Sequence, residues 1–157
     1  MPHSDPHQPT VLLMKQSTKF LGPSGSRSVR VVDLFCGAGG LAYGLKSAGI
    51  EVAAGIDLNP SCRYPFEANC GGKFIEKSVE SLEPAEVDQL FEGAPIRVLA
   101  GCAPCQPFST YSQSRKTPDE RWSLLRAFLR IAVAIRPEIV TMENVRGLSG
   151  TPIWEEF

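Results

Sequence analysis

The chain has 157 residues, 43% of them hydrophobic and 21% charged, which is enough for one domain with its own core and too little for two. No apolar run approaches the roughly 18 residues of a membrane-spanning helix, and residues 1–30 lack the charged start and apolar core of a secretory signal, so we expect a cytoplasmic protein, or a nuclear one in a eukaryote. The net charge of −1 is not that of a strongly basic nucleic-acid binder.

Residues 1–28 are rich in Pro, Ser, Gly, His and Gln and predict a disordered arm. From Val29 onward, strands alternate with helices. The predicted strands cover residues 29–34, 51–56, 74–75, 96–100 and 138–142. The predicted helices cover residues 41–48, 59–69, 83–91 and 119–135, and a further helix could begin at residues 154–157. This alternation predicts an α/β domain over residues 29–157, with a Rossmann-like, mostly parallel sheet and helices on both faces.

Unusual residues follow the predicted strands. The turn 35–40 follows the first strand, Asp57 ends the second, the loop 102–109 follows the fourth, and Glu143 and Asn144 end the fifth. Parallel sheets bind ligands beyond the carboxyl ends of their strands. We therefore expect one pocket that contains all four groups.

The turn after the first strand predicts a nucleotide-like cofactor. Gly37, Gly39 and Ala42 fit the loose pattern G-x-G-x-x-G/A, and Asp57 lies 20 residues after Gly37, where its carboxylate could accept hydrogen bonds from ribose hydroxyls. A dinucleotide and S-adenosylmethionine both fit this pattern. A strand-to-helix turn that needs small residues only for packing is the simpler alternative.

The loop after the fourth strand carries a candidate nucleophile. Cys105 lies between Pro104 and Gln106-Pro107, and the fixed φ of proline stiffens the loop. A thiolate suits addition to an electron-poor ring. Cys102 and Cys105 also form a C-x-x-C pair, which could indicate zinc or redox chemistry, but the prolines argue against a helix beginning there. We expect Cys102 to pack as a small residue at the strand end.

Glu143 follows an apolar strand directly. A carboxylate buried there needs a partner or a function, and burial would raise its pKa. A protonated Glu143 could donate a hydrogen bond to a ring nitrogen. The alternative is an acid paired with Arg136 or Arg146.

Three motifs together resemble the DNA cytosine-5 methyltransferase family: Asp33 to Gly40, Pro104-Cys105-Gln106, and Glu143-Asn144-Val145. They occur in family order and the resemblance covers residues 29–150. It implies S-adenosylmethionine as the cofactor, with no metal. The implied cofactor residues are Phe35, Cys36, Gly37, Gly39, Gly40, Asp57 at the ribose, Leu58 beside the adenine, Ser78 in place of the family's adenine-side acid, and Pro104.

The resemblance also implies the substrate and the chemistry. Cys105 is the implied nucleophile and Glu143 the acid that engages a cytosine flipped out of double-stranded DNA. Gln106, Ser109 and Asn144 are the implied DNA contacts. The function expected is restriction–modification or epigenetic methylation. A catalytically inactive module that binds cofactor or a partner, and an NAD-type oxidoreductase domain, are the alternatives.

The family's paired-arginine motif, target recognition region and later motifs have no counterpart in these 157 residues. We therefore expect a fragment, a gene remnant or one subunit of a split enzyme. A split enzyme would need a complementing C-terminal chain that carries the target recognition region.

Overall fold

The structure is a computed structural model that describes residues 29–104, 118–144, 148 and 151–156. The arm predicted at residues 1–28 lies outside this part of the chain. The five strands are β1 (Val29–Leu34), β2 (Glu51–Asp57), β3 (Lys73–Glu76), β4 (Ile96–Gly101) and β5 (Ile139–Met142). The four α-helices are α1 (Gly40–Ser47), α2 (Arg63–Cys70), α3 (Pro84–Gln89) and α4 (Pro118–Ile135).

The strands form one parallel sheet in the order β3-β2-β1-β4-β5. β1 lies at its centre, where Leu34 is level with Ile56 of β2 and Gly101 of β4. The Rossmann-like parallel sheet predicted from the sequence is therefore confirmed. The order in which strands are added to the sheet reverses between β1 and β4. A crevice therefore opens at the carboxyl ends of these two strands.

Helices cover both faces of the central strands. Val32 and Leu34 of β1 pack with Phe128 of α4 on one face. Val31 packs with Phe66 of α2 on the other. Because β1 is buried on both faces, its sequence is nearly continuous in apolar residues rather than alternating. Full burial of each such side chain stabilises the fold by about 2 kcal/mol.

Local hydrogen bonds explain where the structure departs from the predicted helices. The segment predicted as one helix over 59–69 begins with a 3-10 turn, Pro60–Cys62, because Asn59 Oδ1 accepts the Ser61 N–H at 3.1 Å. α3 is shorter than the predicted 83–91, since Glu83 and Glu86 form a capping box before it and Glu92 has a left-handed φ of 49° after it.

Two further 3-10 helices differ from the predictions. Val79–Ser81 was not predicted to be helical, and residues 152–156 form a 3-10 helix where an α-helix was expected to begin at 154. Among the described helices, none combines the length and apolar character needed to cross a membrane.

Candidate active site

A cleft of about 380 Å³ opens at the carboxyl ends of β1, β2 and β4. Its volume lies in the range of small-molecule and cofactor sites. Five residues predicted to bind the cofactor line it: Phe35, Asp57, Leu58, Ser78 and Pro104. Three of the four groups expected in one pocket therefore contribute to the cleft, together with Ser78 after β3, whereas Glu143 and Asn144 are not among its lining residues.

Phe35 turns the chain away from β1 into the cleft. Its φ is 59°, a left-handed conformation that costs a non-glycine residue roughly 1–2 kcal/mol. The Cys36 N–H donates to the Ile56 carbonyl at 3.2 Å, which ties the turn to β2. The Phe35 ring also packs against the core beneath α4, so the turn is held on both sides.

The glycines of this turn have different roles. Gly37 has a φ of 51° and open space where a Cβ would project. Gly39 has a φ of 95°, and a Cβ there would collide with Cys70 Sγ and lie 2.9 Å from Phe66 Cδ2. The absence of a side chain at Gly39 therefore allows α1 to pack closely against α2.

Cys36 is buried beneath the turn, and burial raises the pKa of its thiol strongly. A thiol of this kind is inert. The cleft lining does not include Cys36, Gly37, Gly39 or Gly40. Their predicted role as direct cofactor contacts stays a prediction, and the geometry gives Cys36 and Gly39 packing roles.

Asp57 joins the turn to the end of β2. Its Oδ2 accepts the Gly37 N–H and its Oδ1 accepts the Asn59 N–H, each at 2.9 Å. These bonds fix the orientation of the carboxylate at the cleft wall. Each oxygen keeps further lone-pair capacity, so a pair of ligand hydroxyls can also be accepted.

Asp33 is a second acid at this end of the sheet; it opens the first motif of the family resemblance but was not predicted as a site residue. It is 1% exposed, and neither carboxyl oxygen has a hydrogen-bond partner in the described part of the chain. Burial, opposed by the nearby Ala42 amide and reinforced by the charges of Glu143 and Asp57, raises the Asp33 pKa to about 7.

Glu143 lies immediately after β5, and its N–H donates to the Gly101 carbonyl at 2.9 Å. Its side chain is exposed, so the expectation of a partly buried carboxylate is wrong for this structure. The reason is that β5 is an edge strand and carries no further strand on its outer side among the described residues. Arg146, one of the partners considered for it, lies outside the described residues.

Asn144 is half-buried, and its Nδ2 donates to the Ala103 carbonyl at 3.1 Å. This bond ties the end of β5 to the segment that leads into Pro104. Asn144 therefore helps to position the segment that enters the predicted nucleophile loop, and its predicted contact with DNA stays a prediction. The loop residues Cys105, Gln106 and Ser109 lie outside the described part of the chain.

Cys102 differs from its prediction. Cys102 is exposed and lines the cleft instead of packing at the strand end, because the chain leaves β4 after Gly101 and turns toward the cleft. Within residues 29–104, 118–144, 148 and 151–156, no group of three His, Cys, Asp or Glu side chains could hold a metal ion.

Sequence reasoning missed several residues of the cleft lining: Lys77, Val79, Glu80, Ser123 and Leu124. Leu124 had a signal, since it belongs to the apolar face predicted for the longest helix. The others come from a 3-10 turn that has no periodic pattern, or from a polar position of a helix. Lys77 Nζ pairs with Glu86 at 2.7 Å, so its charge is already compensated.

Residues 29–156 match the family described as C-5 cytosine-specific DNA methylase. This chain belongs to that family. Its relatives include the Type II methylase M.HgiDII of Herpetosiphon aurantiacus, 46% identical over 115 residues that cover 73% of this chain and 32% of that protein. The Type II methyltransferase M.NgoFVII of Neisseria gonorrhoeae is 32% identical over 125 residues, which cover 80% of this chain and 32% of the relative.

Solved structures agree with this assignment. The Dnmt2 methyltransferase of S. pombe superimposes with a TM-score of 0.64 at 25% identity, covering 82% of this methylase chain and 38% of that one. A putative DNA modification methyltransferase encoded in an E. coli prophage gives 0.65 at 25% identity, covering 82% and 35%. The chain spans about a third of the length of the first two relatives it matches.

Proposed function

We propose that this chain is the cofactor-binding and nucleophile-bearing part of a DNA cytosine-5 methyltransferase that uses S-adenosylmethionine. The distribution of charge at the cleft carries the proposal. Asp57 and Glu80 line the cleft, and Asp33, buried within β1, and Glu143, which follows β5, lie nearby at the same end of the sheet. Lys77, the cleft's lysine among the described residues, is paired with Glu86. Such a site favours a cationic ligand over a pyrophosphate.

The turn amides support the same choice. A dinucleotide places its pyrophosphate on free N–H groups of the glycine turn. Here the Gly37 N–H is bonded to the Asp57 carboxylate, and the Gly39 N–H donates to the Cys36 carbonyl at 2.9 Å. An anionic phosphate would have to displace a carboxylate of like charge.

The described residues fit an adenosine group. Asp57 would accept the two ribose hydroxyls. Phe35, Leu58 and Val79 offer apolar surface for the adenine, and Ser78 offers a hydroxyl for its edge. When bound, S-adenosylmethionine supplies an electrophilic methyl group.

The protein's own groups act on the cytosine. The Cys105 thiolate adds to ring carbon six. Protonated Glu143 donates a hydrogen bond to ring nitrogen three, so that negative charge does not build up on the ring. Carbon five then becomes nucleophilic and accepts the methyl group. Loss of the carbon-five proton to a base re-forms the double bond and expels the thiolate. The exposure of Glu143 supports a role in which substrate, rather than protein, covers this carboxylate.

The low net charge of the chain supports the view that another part of the enzyme makes most of the contacts with DNA phosphates. A basic surface would come from the region that the longer relatives carry beyond the match, together with target recognition. That region could lie on a complementing chain. The working location would then be the nucleoid in a bacterium or the nucleus in a eukaryote.

The test uses a single polypeptide that joins this chain to the part of M.HgiDII beyond the aligned region. We expect it to transfer radiolabelled methyl groups to DNA, and Cys105→Ser to reduce transfer by at least 1,000-fold while S-adenosylhomocysteine still binds. Cys62→Ser, a half-buried cysteine of the 3-10 turn before α2, is the matched control and should remain active.

A second readout follows the covalent step. DNA with 5-fluorocytosine should trap the fusion protein, because fluorine cannot leave carbon five as a proton does, and Cys105→Ser should not be trapped. A fusion that binds S-adenosylhomocysteine and DNA yet neither methylates nor traps would favour the inactive binding module instead.

A further inference from the structure

One wall of the cleft is a short turn that follows β3. It comprises Ser78 and the 3-10 helix Val79–Ser81, and it ends at Leu82. Ser78, Val79 and Glu80 all line the cleft. A single turn of 3-10 helix has few internal hydrogen bonds and poor bond geometry, so contacts with other elements decide where its side chains lie.

The sheet and the core fix the beginning of this turn and its apolar side. The Lys77 N–H, just before the turn, donates to the Asp57 carbonyl at 3.1 Å. Val79 and Leu82 are each 3% exposed and pack into the core on the α4 face of the sheet. The main chain at the far end of the turn, from Glu80 to Leu82, is held differently.

Arg130 of α4 holds this far end through two backbone carbonyls. Its Nη2 donates to the Leu82 carbonyl at 2.7 Å and, more weakly, to the Glu80 carbonyl at 3.4 Å. A guanidinium is a rigid fork of donors, so it keeps the acceptors that it contacts in a fixed relation. Arg130 therefore joins the long helix to the wall of the cleft.

Arg130 differs in its partner from Arg126, which lies one helical turn earlier on α4. Arg126 pairs with the Glu156 carboxylate at 3.1 Å. Within the described ranges Arg130 forms no ion pair, although it is bonded to the main chain of Glu80 itself. The Glu80 carboxylate lines the cleft and also has no ion pair among the residues that the structure describes. Arg130 thus holds the backbone of the turn and leaves this carboxylate available to a ligand.

We infer that Arg130 is a positioning residue that fixes the specificity of the cleft for the base of its cofactor. Through the turn it holds the oxygens of Ser78 and Glu80 as acceptors for the exocyclic amino group of adenine. The inference rests on the proposed function, because it concerns how that same cleft selects an adenosyl ligand. A carboxylate accepts from an amino group but repels the oxygen of a 6-oxo base, so the wall discriminates between the two.

The test compares two ligands by calorimetric titration of the full chain: S-adenosylhomocysteine and S-inosylhomocysteine, which carries an oxygen in place of the 6-amino group. Arg130→Met keeps an apolar stem and removes every donor. Arg126→Met is the matched control, since Arg126 is an exposed arginine of the same helix that does not line the cleft. Arg130→Lys keeps a charge that can still donate to the Leu82 carbonyl.

We expect the unmodified chain and Arg126→Met to bind the adenosyl ligand at least about 10-fold more tightly than the inosyl ligand. Arg130→Met should lose most of this preference through weaker binding of the adenosyl ligand, while its thermal unfolding midpoint stays close to that of Arg126→Met. Arg130→Lys should retain part of the preference.

An equal loss of affinity for both ligands in Arg130→Met would overturn the inference, because a general loss of structure weakens both. An unchanged preference in Arg130→Met, or a loss of preference in Arg126→Met, would also overturn it. If the unmodified chain binds neither ligand, the proposed cofactor site fails and the inference fails with it. Binding of the adenosyl ligand that does not depend on Arg130 refutes the inference alone and leaves the proposed function standing.

Discussion

The acidic residues at the two ends of the parallel sheet differ in whether they form ion pairs. At the amino ends of the strands, arginines pair the acids: Arg30 contacts Glu51 at 3.1 Å, and Arg97 contacts Asp88 at 2.7 Å and Glu138 at 3.1 Å. These pairs lower the pKa of Glu138 to about 2 and raise that of Arg97.

At the carboxyl ends, Glu76 of the edge strand β3 pairs with Arg63 at 3.5 Å. No arginine or lysine of the described residues forms an ion pair with Asp33, Asp57 or Glu143. Asp33 is buried without a partner, Asp57 accepts only backbone N–H groups, and Glu143 is exposed. At the amino end, ion pairs therefore join neighbouring elements. At the carboxyl end, the carboxylates of Asp33, Asp57 and Glu143 keep hydrogen-bonding capacity that a ligand could use. Uncompensated acids at one sheet end identify the functional end by physics alone.

Asp57→Ala should give the largest effect at the carboxyl end. Loss of two charge-assisted bonds to ribose hydroxyls, each of roughly 1.5–3 kcal/mol, predicts at least a 100-fold weaker affinity for S-adenosylhomocysteine by calorimetry. Asp88→Ala is the matched control at the amino end and should leave the affinity unchanged. An equal loss in both variants would remove the distinction between the two ends.

Gly55→Ala tests how tightly the cofactor turn is supported. Gly55 lies in β2, and a Cβ there would collide with Phe66 and lie 2.7 Å from Cys36 Sγ. We expect a loss of about 2–3 kcal/mol in the free energy of unfolding, measured with urea. Gly44→Ala, in α1 with open space around it, should instead stabilise the protein by roughly 0.5–1 kcal/mol.

Asp33→Asn should change how stability depends on pH. Because the folded-state pKa of about 7 exceeds the ordinary 3.8, stability from this group is full below pH 4 and is lost as the pH rises to 7. The asparagine variant of the free protein should therefore be more stable than the unmodified protein at pH 8, by about 2 kcal/mol, and the difference should shrink as the pH falls and vanish below about pH 4.

Glu86 and Glu138 have lowered pKa values, so their contributions are lost only as the pH falls below about 4.5. They do not obscure the window between pH 4.5 and 7. Parallel pH profiles of the two proteins, measured by thermal unfolding, would contradict a raised pKa for Asp33.

Arg97→Ala should have the smallest effect. Its partners Asp88 and Glu138 are exposed to solvent, so we expect a loss of about 1 kcal/mol in the free energy of unfolding that diminishes with added salt. Affinity for S-adenosylhomocysteine should not change. A large loss of affinity would mean that the amino end acts on the cleft.

The sequence predicted the parts of the site that depend on strand ends. Asp57 was identified because it ends a strand 20 residues after Gly37, and the structure brings those two residues within 2.9 Å. Asp33 could not be separated from its neighbours, because its importance comes from burial beneath α1, which no local pattern encodes. The exposure of Glu143 was missed for a related reason, since an apolar strand gives no sign that it lies at an edge.

The sequence also did not show which residues act through packing. Gly37 and Gly39 look alike in the motif, but only Gly39 lies against Cys70 and Phe66. The charges of β3 were visible in the sequence, whereas the capping of Phe74 by Glu67 and Arg63 depends on the orientation of α2. Contacts between elements are set by tertiary packing, so they could not be predicted from periodicity.

The central claim is that the acid-rich carboxyl end forms a site for S-adenosylmethionine. The most direct test is calorimetric titration of the purified chain with S-adenosylhomocysteine, followed by competition with NAD. We predict saturable binding at one site per chain that NAD does not displace. Displacement by NAD, or binding of NAD alone, would contradict the account.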